Sequence, residues 1–378
     1  MSRIYHLLDF CRAERHWLLD TIETLVRLES PTTDKAAVDR CGAELSSRLE
    51  AIGGRVTRLT RADRGDHLLA EFGCGPSQLL LLGHFDTVWP AGQLERMPFV
   101  NTEGRLHGPG IFDMKGGIAI GMLATRALLE TDVRSSHRIV MLWTTDEEVG
   151  SATSRQAIEE EARRSEAVLV LEPSLPGGAL KTSRKGCGQY EMVVRGIAAH
   201  AGVDPAKGAS AIHELAHQIC GLHRIPELAP GISLNVGLIA GGSRPNVVAE
   251  EARAVIDARA ATRDEMELID GSIRRQQTHD PRVRLEVSGG FERPPLERSG
   301  EVARLYNRAR EIAGELGFDL PEGATGGGSD GNFTAAVGVP TLDGLGAVGD
   351  GAHALHEHVD VESLPVRAAL VAGLLATL

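Results

Sequence analysis

The first half of the chain alternates between short, continuous apolar runs and segments with helical spacing. The continuous runs predict buried strands at 78–82, 138–144 and 167–171. Apolar positions three and four residues apart predict helices at 34–52, 116–130 and 154–165. Buried strands separated by helices are typical of a mixed, mostly parallel sheet that is sandwiched by helices. The pattern therefore predicts an α/β fold class for this part.

The middle of the chain has a different order of elements. Strands are predicted at 189–195, 234–239, 252–259 and 283–287, and helices at 209–222 and 263–277. The order β-α-β-β-α-β is that of a ferredoxin-like α+β unit. We therefore expect an α/β domain formed by residues 1–180 and 291–378, with the ferredoxin-like unit inserted at 181–290. The second part of the α/β domain contains helices at 301–316 and 361–378 and a glycine-rich loop at 323–331.

Charge and composition exclude several classes of protein. The formal net charge of the 378 residues is −12, without a dense basic run, which argues against a nucleic-acid partner. The longest apolar stretches are too short for a membrane span, and charged residues interrupt the N-terminal segment where a signal peptide would be apolar. The five cysteines form no Cys-x-x-Cys pair, so we expect reduced thiols in a cytoplasmic protein.

Residues of metal-ligand type follow each of the three predicted buried strands. His84 and Asp86 follow the first, Glu147 and Glu148 the second, and Glu172 the third. Ligands bind at the carboxyl ends of the strands in open α/β sheets, so these side chains should converge. Two more candidates are Asp113, which is also a plausible helix N-cap, and His353 in a histidine-rich segment. Together these residues form the ligand set expected of a paired-zinc hydrolase.

Three motifs carry a specific resemblance. Residues 83–90 (GHFDTVWP), 108–117 (GPGIFDMKGG) and 144–150 (TTDEEVG) resemble the aminoacylase/carboxypeptidase family of di-zinc metallopeptidases. Further matches lie at 171–173 (LEP), 198–202 (AAHAG), 246–259, 326–330 (GGGSD) and 352–360 (AHALHEHVD). The motifs follow the order of the family over nearly the whole chain. Within the family, the sequence is most similar to the glutamate carboxypeptidase branch.

The resemblance implies a catalytic domain with two zinc ions, for which Co²⁺ or Mn²⁺ are possible substitutes. Asp113 would bridge the ions, with His84 and Glu172 completing one site and Glu148 and His353 the other. Glu147 would act as general base, and Asp86 would support His84. The last ligand stays open between His353, His356 and His358, although the His353-x-x-x-Glu357 pattern fits the family best.

The resemblance also implies that the inserted domain is a lid that dimerises. His200 of the lid would polarise the scissile carbonyl, often in the site of the partner subunit of a homodimer. Arg293 has the features of a carboxylate-binding residue, helped by Asn246 and by the backbone of Gly327, Gly328 and Ser329. These features favour a small peptide or N-acyl amino acid substrate with a free carboxylate, without deciding between a peptidase and a deacylase such as acetylornithine deacetylase.

Two other classes of function are weighed against this hypothesis. Residues 327–331 (GGSDG) satisfy the G-x-S-x-G pattern of serine hydrolases, with Asp343 or Asp350 and His353 following. A nucleophile elbow requires a buried strand before the serine, and 320–325 (LPEGAT) does not have that pattern. A non-catalytic, metal-binding scaffold would have lost the base or a ligand, and every one of these positions is filled.

Overall fold

The computed structural model describes residues 3–378, which divide into two compact units. The first unit contains the described residues up to Thr182, together with Arg298–Ala324 and Ser329–Leu378. The second contains Ser183–Glu297 and the short segment Thr325–Gly328. Each unit has its own hydrophobic core.

Both helices and strands occur in each half of the described chain. The helices are α1 (Arg3–Ala13), α2 (Arg15–Arg27), α3 (Lys35–Ala51), α4 (Gly116–Glu130), α5 (Arg155–Arg163), α6 (Ala211–Leu222), α7 (Arg263–Arg274), α8 (Gly300–Leu316), α9 (Gly331–Ala336) and α10 (Ser363–Thr377). Within residues 3–378, none of these is both long and apolar enough to cross a membrane.

The strands are β1 (Arg55–Leu59), β2 (His67–Phe72), β3 (Gln78–His84), β4 (Val100–Thr102), β5 (Arg105–His107), β6 (Arg138–Thr144), β7 (Ser165–Val170), β8 (Leu180–Arg184), β9 (Gly186–Arg195), β10 (Ser233–Gly241), β11 (Glu251–Ala260), β12 (Arg284–Arg293), β13 (Glu322–Thr325), β14 (Thr341–Leu342), β15 (Gly349–Asp350) and β16 (His358–Asp360). The predicted α/β fold class is confirmed, and the predicted bounds of α4 and β6 agree with the structure at both ends.

The main sheet of the first unit has the strand order β1-β2-β6-β3-β7-β14. The strands from β6 to β14 run parallel, whereas β1 and β2 pair antiparallel at one edge. The parallel register pairs His84 with Thr144 and Leu82 with Val170, so the carboxyl ends of β3, β6 and β7 lie at one edge of the sheet. That edge carries the predicted ligands.

The continuous apolar runs of the central strands supply two cores at once. Successive side chains of a strand point to opposite faces. Leu79 and Leu81 accordingly belong to the core formed with α1–α4, α8 and α10, while Leu80 and Leu82 pack with α5 and α9 on the other face. Burying a leucine side chain contributes about 1.5–3 kcal/mol, so a polar residue is disfavoured at the four positions from Leu79 to Leu82. This double burial explains why no polar alternation appears in the sequence.

A small sheet of very short strands lies beside the main one, in the order β15-β16-β5-β4. Its strands have two or three residues each and pair antiparallel. They join the segment around 358 to the segment around 106, which are far apart in the chain. Strands this short show no periodicity, so the hydrophobic pattern does not predict them.

The second unit is built on a four-stranded antiparallel sheet with the order β10-β11-β9-β12. With β9, β10, β11 and β12 as its first to fourth strands, this is the 2-3-1-4 arrangement of a ferredoxin-like unit. Alternate residues of β9 and β11 face the core, where Tyr190, Met192 and Ile256 pack with residues of α6 and α7. The predicted order of elements is therefore the observed one.

All four strands of this sheet are longer than predicted, and β12 extends furthest beyond its predicted end. The alternating pattern ends at residue 287, but β12 continues to Arg293. Gly289 and Gly290 still pair with Tyr190 and Gln189 of β9. Glycine contributes to a ladder through its backbone alone, so a hydrophobicity pattern misses it.

Candidate metal centre

The carboxyl edge of the main sheet brings together five of the predicted site residues. His84 is the last residue of β3, Glu148 lies in a short 3₁₀ turn (Glu147–Val149) after β6, and Glu172 follows β7. Asp113 comes from the loop before α4, and His353 from the loop between β15 and β16. The convergence predicted from the strand ends is therefore observed.

These residues form two groups that share Asp113. In the first group, Nε2 of His84 lies 3.2 Å from Oδ1 of Asp113 and 3.6 Å from Oε1 of Glu172. In the second, Nε2 of His353 lies 3.4 Å from Oδ2 of Asp113 and 3.2 Å from Oε2 of Glu148. Within each group the ligand atoms all lie within 4.8 Å of one another. One carboxylate thus presents a different oxygen to each group.

The histidine of the first group is buried and that of the second is half exposed, and in both groups the carboxylates favour the charged form of the imidazole. His84 is buried, which opposes a charged imidazole, but the carboxylates of Asp113, Asp86 and Glu172 raise the pKa of His84 well above its usual range. Hydrogen bonds to Asp113 and Glu148 raise the pKa of His353 to about 10. Two imidazoles therefore lie against four carboxylates, those of Asp86, Asp113, Glu148 and Glu172, and this donor set suits cations.

The structure excludes the capping role for Asp113 and shows that the side chain of Glu148 is buried. Asp113 is not the N-cap of α4, because the helix begins at Gly116 and Lys115 stands at the capping position. Glu148 is not a solvated charge, since only 6% of its side chain is exposed. Burial raises the pKa of Glu148, as does the neighbouring charge of Asp113.

The structure separates the three histidines near the end of the chain. His353 reaches the second group and has a left-handed backbone (φ 60°), which is unusual for a residue with a side chain. His356 instead lies 3.9 Å from Asp350, and the ring of His358 lies 5.3 Å from that of His107. Only His353 is therefore placed with the other candidate ligands.

Asp86 lies beside His84, although in a looser arrangement than a simple carboxylate–imidazole pair. Nδ1 of His84 is 3.0 Å from the backbone oxygen of Asp86 and 3.4 Å from its Oδ1. The other carboxylate oxygen accepts a hydrogen bond from Thr32 (2.8 Å) and a longer one from the backbone N–H of Glu148 (3.4 Å). Asp86 thus connects residues of both groups.

Glu357 organises the loop that carries Asp113, a role that the sequence did not reveal. Its buried carboxylate accepts hydrogen bonds from the backbone N–H groups of Gly110 (2.9 Å), Phe112 (2.9 Å) and Asp113 (3.1 Å), and from the indole of Trp89 (2.9 Å). Burial raises the pKa of Glu357 to about 7, while these hydrogen bonds oppose the shift. The four-residue spacing from His353 was the only sequence signal for this residue.

Asp330 similarly holds the loop that carries Glu147 and Glu148. Its buried carboxylate accepts hydrogen bonds from the hydroxyl of Thr144 (3.0 Å) and from that of Ser151. These two residues stand at the two ends of the loop, so one side chain from a distant part of the sequence fixes both ends.

The predicted substrate contacts are placed in several parts of the chain. His200 and Asn246 lie on adjacent loops of the second unit. The backbone N–H of Ala201 donates a hydrogen bond to the backbone carbonyl oxygen of Asn246 (3.0 Å). Arg293, also in that unit, is buried at the end of β12. Their roles toward a substrate stay predictions.

The glycine-rich loop is held through its backbone. Arg184 donates from Nη1 to the carbonyl oxygens of Gly327 (3.2 Å) and Gly328 (3.0 Å). The next residue, Ser329, is buried and donates its hydroxyl to Asp343 (2.7 Å). His353, the histidine of the serine-hydrolase hypothesis, instead lies against Asp113 and Glu148. The geometry therefore disfavours Ser329 as a nucleophile.

The fold and the shared-carboxylate groups define the class of a dinuclear metallohydrolase. The chain belongs to the peptidase family M20/M25/M40, whose sequence profile matches residues 80–377. Members of this class hydrolyse peptide or amide bonds, and the predicted enzyme class is confirmed.

Curated relatives match over almost the entire chain. The chain is 31% identical over 376 residues to carboxypeptidase G2 of Pseudomonas sp. (strain RS-16), covering 97% of this chain and 90% of the relative. It is 30% identical over 391 residues to a succinyl-diaminopimelate desuccinylase of Xanthomonas oryzae pv. oryzae (strain PXO99A), covering 96% and 98%.

Solved structures show the same fold. Aminopeptidase PepT from Bacillus cereus ATCC 10987 superposes with a TM-score of 0.83 at 23% identity, covering 96% of this chain and 98% of that one. The YXEP protein of Bacillus subtilis, a dinuclear metal binding peptidase from the M20 family, superposes with a TM-score of 0.71 at 15% identity, covering 97% and 98%.

Proposed function

We propose that this protein holds two zinc ions and hydrolyses the amide bond of a small peptide or N-acyl amino acid with a free carboxylate. His84, Asp113 and Glu172 would hold one ion, and Asp113, Glu148 and His353 the other. The observation that carries the proposal is the position of Asp113, whose two carboxylate oxygens face different groups.

The distances between the donor atoms are those expected around a zinc ion with four ligands. Ligand atoms about 2.0–2.2 Å from a tetrahedral zinc ion lie about 3.3–3.6 Å from each other. The four donor pairs that involve the histidines are 3.2, 3.6, 3.4 and 3.2 Å apart. Nitrogen and carboxylate oxygen are ordinary zinc ligands, and cobalt or manganese are possible substitutes.

A carboxylate of the chain would carry out the proton transfer. When bound, two metal ions polarise the amide carbonyl and lower the pKa of the attacking water. Glu147, which opens the 3₁₀ turn beside Glu148, would take the proton of that water and later deliver it to the leaving amine. Asp86 would keep His84 oriented through its contacts at Nδ1.

A free carboxylate on the substrate would give a role to Arg293 in the second unit. A buried arginine such as Arg293 suits a carboxylate, because the guanidinium forms paired, charge-assisted hydrogen bonds. Asn246 and the backbone of Gly327, Gly328 and Ser329 would complete this subsite. The similarity to carboxypeptidase G2 favours a carboxypeptidase, while the similar identity to the desuccinylase keeps a deacylase as the alternative.

A substrate panel tests the proposal. We expect the zinc- or cobalt-loaded protein to hydrolyse N-acyl amino acids or dipeptides, to lose activity in a strong chelator and to recover it with added metal. Amidated analogues without the free carboxylate should be poor substrates. Activity that survives removal of all bound metal would contradict the proposal, and the best substrate would decide between peptidase and deacylase.

We also propose that the second unit forms a homodimer through strand β10. This strand lies at the edge of its sheet, and Leu238 and Ile239 on it are 67% and 64% exposed. An exposed apolar edge strand is a ready template for pairing with another strand. A second copy of β10 would pair with the backbone groups of this edge and place a neighbouring strand beside both side chains.

His200 would donate a hydrogen bond to the oxyanion of the tetrahedral intermediate. The side chain is exposed, and Nδ1 accepts a hydrogen bond from the backbone N–H of Gly202 (3.1 Å). A neutral imidazole carries a proton on one of its two nitrogens. Because Nδ1 accepts this hydrogen bond, the proton is on Nε2. A donor in this orientation suits an oxyanion.

Replacing this histidine tests the role. We expect His200→Ala to keep both metal ions and its fold, but to lose about 10²–10³ in kcat, the range for one oxyanion donor. The matched control is His223→Ala, an exposed histidine of the same unit, which should retain its kcat. Near-normal turnover in His200→Ala would remove the residue from the mechanism.

Mixing of subunits tests whether His200 acts across a dimer. Inactive His200→Ala and inactive Glu147→Gln chains should regain activity when mixed, because some dimers would then contain one intact composite site. A lack of recovery despite demonstrated subunit exchange would place His200 in the site of its own chain.

A further inference from the structure

Three exposed histidines lie together on the second unit, outside the candidate metal centre. His213 and His217 are one turn apart on α6, and their ring centroids are 5.3 Å apart. His279, which follows α7, stacks on His217 with a centroid distance of 4.4 Å. Histidines at positions i and i+4 project from the same side of a helix, so their nitrogens can reach one ion.

A buried carboxylate orients one of these rings. Glu214 is only 2% exposed, and its oxygens accept hydrogen bonds from the backbone N–H groups of His279 (3.0 Å) and Asp280 (3.1 Å). Nδ1 of His279 lies 3.3 Å from the same carboxylate. A carboxylate only accepts, so Nδ1 carries the proton and Nε2 keeps its lone pair.

This arrangement is the one that metal-binding histidines use. A ligating histidine almost always donates its second ring nitrogen to a carboxylate or carbonyl, which fixes the ring and raises its basicity. Burial raises the pKa of Glu214, but hydrogen bonds from His279, Gln218 and Asp280 outweigh burial and hold this pKa below its usual value, so the carboxylate stays ionised. Glu214 therefore orients His279 in the tautomer that can bind a cation through Nε2.

The other two rings are free to complete a site. His213 and His217 are exposed on α6, and exposed side chains change rotamer within picoseconds to nanoseconds. In the structure these rings lie tilted or stacked against each other, so binding one ion requires His213 and His217 to change rotamer. The carboxylate of Asp280 forms an ion pair with Arg282 (2.6 Å), which makes it a weaker competitor for the metal ion than an unpaired carboxylate.

We propose that His213, His217 and His279 bind one divalent transition-metal ion, with Glu214 orienting His279. Imidazole ligands suit Zn²⁺, Cu²⁺ and Ni²⁺, and three of them leave a fourth position for water. This ion is additional to the pair at the candidate metal centre.

Elemental analysis of the full-length protein tests the site. Zinc-loaded protein is dialysed against a low concentration of free zinc, and the bound metal is counted. We expect a third zinc ion per chain in the wild type and in the control His223→Ala, and its loss in His217→Ala with catalytic activity unchanged. Absence of a third ion, or its retention in His217→Ala, would overturn the proposal.

A second variant probes the carboxylate. Glu214→Gln should bind the third zinc ion about 10–100-fold more weakly, the usual cost of removing a group that orients a ligand. Circular dichroism and hydrolytic activity show whether the variant remains folded. An unchanged affinity in the folded variant would refute the role of Glu214. The histidine site contains none of the proposed catalytic residues, so this result is independent of the outcome of the substrate panel.

Discussion

Asp113→Asn is expected to lose both metal ions of the centre and all measurable hydrolysis. Asparagine offers a single acceptor oxygen and one amide nitrogen that cannot bind a cation. Since each oxygen of Asp113 faces a different group, the substitution removes a ligand from one ion and places an NH₂ group against the other. Metal analysis after dialysis measures the loss directly.

The control for this variant is Asp39→Asn. Asp39 is paired with Lys35 on α3 (2.9 Å) and is absent from both groups, so its replacement should leave the metal content intact. Retention of two tightly bound ions in Asp113→Asn would show that Asp113 does not bridge them.

Glu147→Gln is expected to keep both metal ions while kcat falls about 10²–10⁴-fold, the contribution of a general base. Glutamine has nearly the same shape but cannot accept the proton of the attacking water. The adjacent Glu148 provides a matched comparison, because its Oε2 lies 3.2 Å from His353 and it belongs to the second group. Glu148→Gln should therefore lose metal as well as rate.

Measuring metal content and kcat together separates the two roles. If both variants retain two ions, or if both lose one, the assignment of base and ligand to these neighbours is wrong. Near-normal turnover in Glu147→Gln would exclude it as the base.

The strand-end ligands were predictable because the signals are local. His84, Glu148 and Glu172 each follow a continuous apolar run, and such runs give buried strands whose carboxyl ends meet. The parallel registers of β3 with β6 and β7 then place these residues at one edge. The roles of these residues in hydrolysis stay predictions.

The choice among the late histidines was not predictable from local pattern. It depends on β16, a strand of three residues that pairs His358 with His107 and leaves His353 in the preceding loop. A three-residue strand is too short to show periodicity. The functions of Glu357 and Asp330 also depend on contacts between distant segments, since their partners lie near residues 110 and 148.

The order of the ligands along the chain has a consequence for how the protein matures. The first group is complete once residue 172 has been synthesised, whereas the second also needs His353, which follows the whole inserted unit. Bringing such distant segments together carries an entropic cost that a shared metal ion would help to offset. A chain still growing on the ribosome thus lacks a complete second group until residue 353 emerges. We therefore expect nascent and C-terminally truncated chains to lack hydrolytic activity.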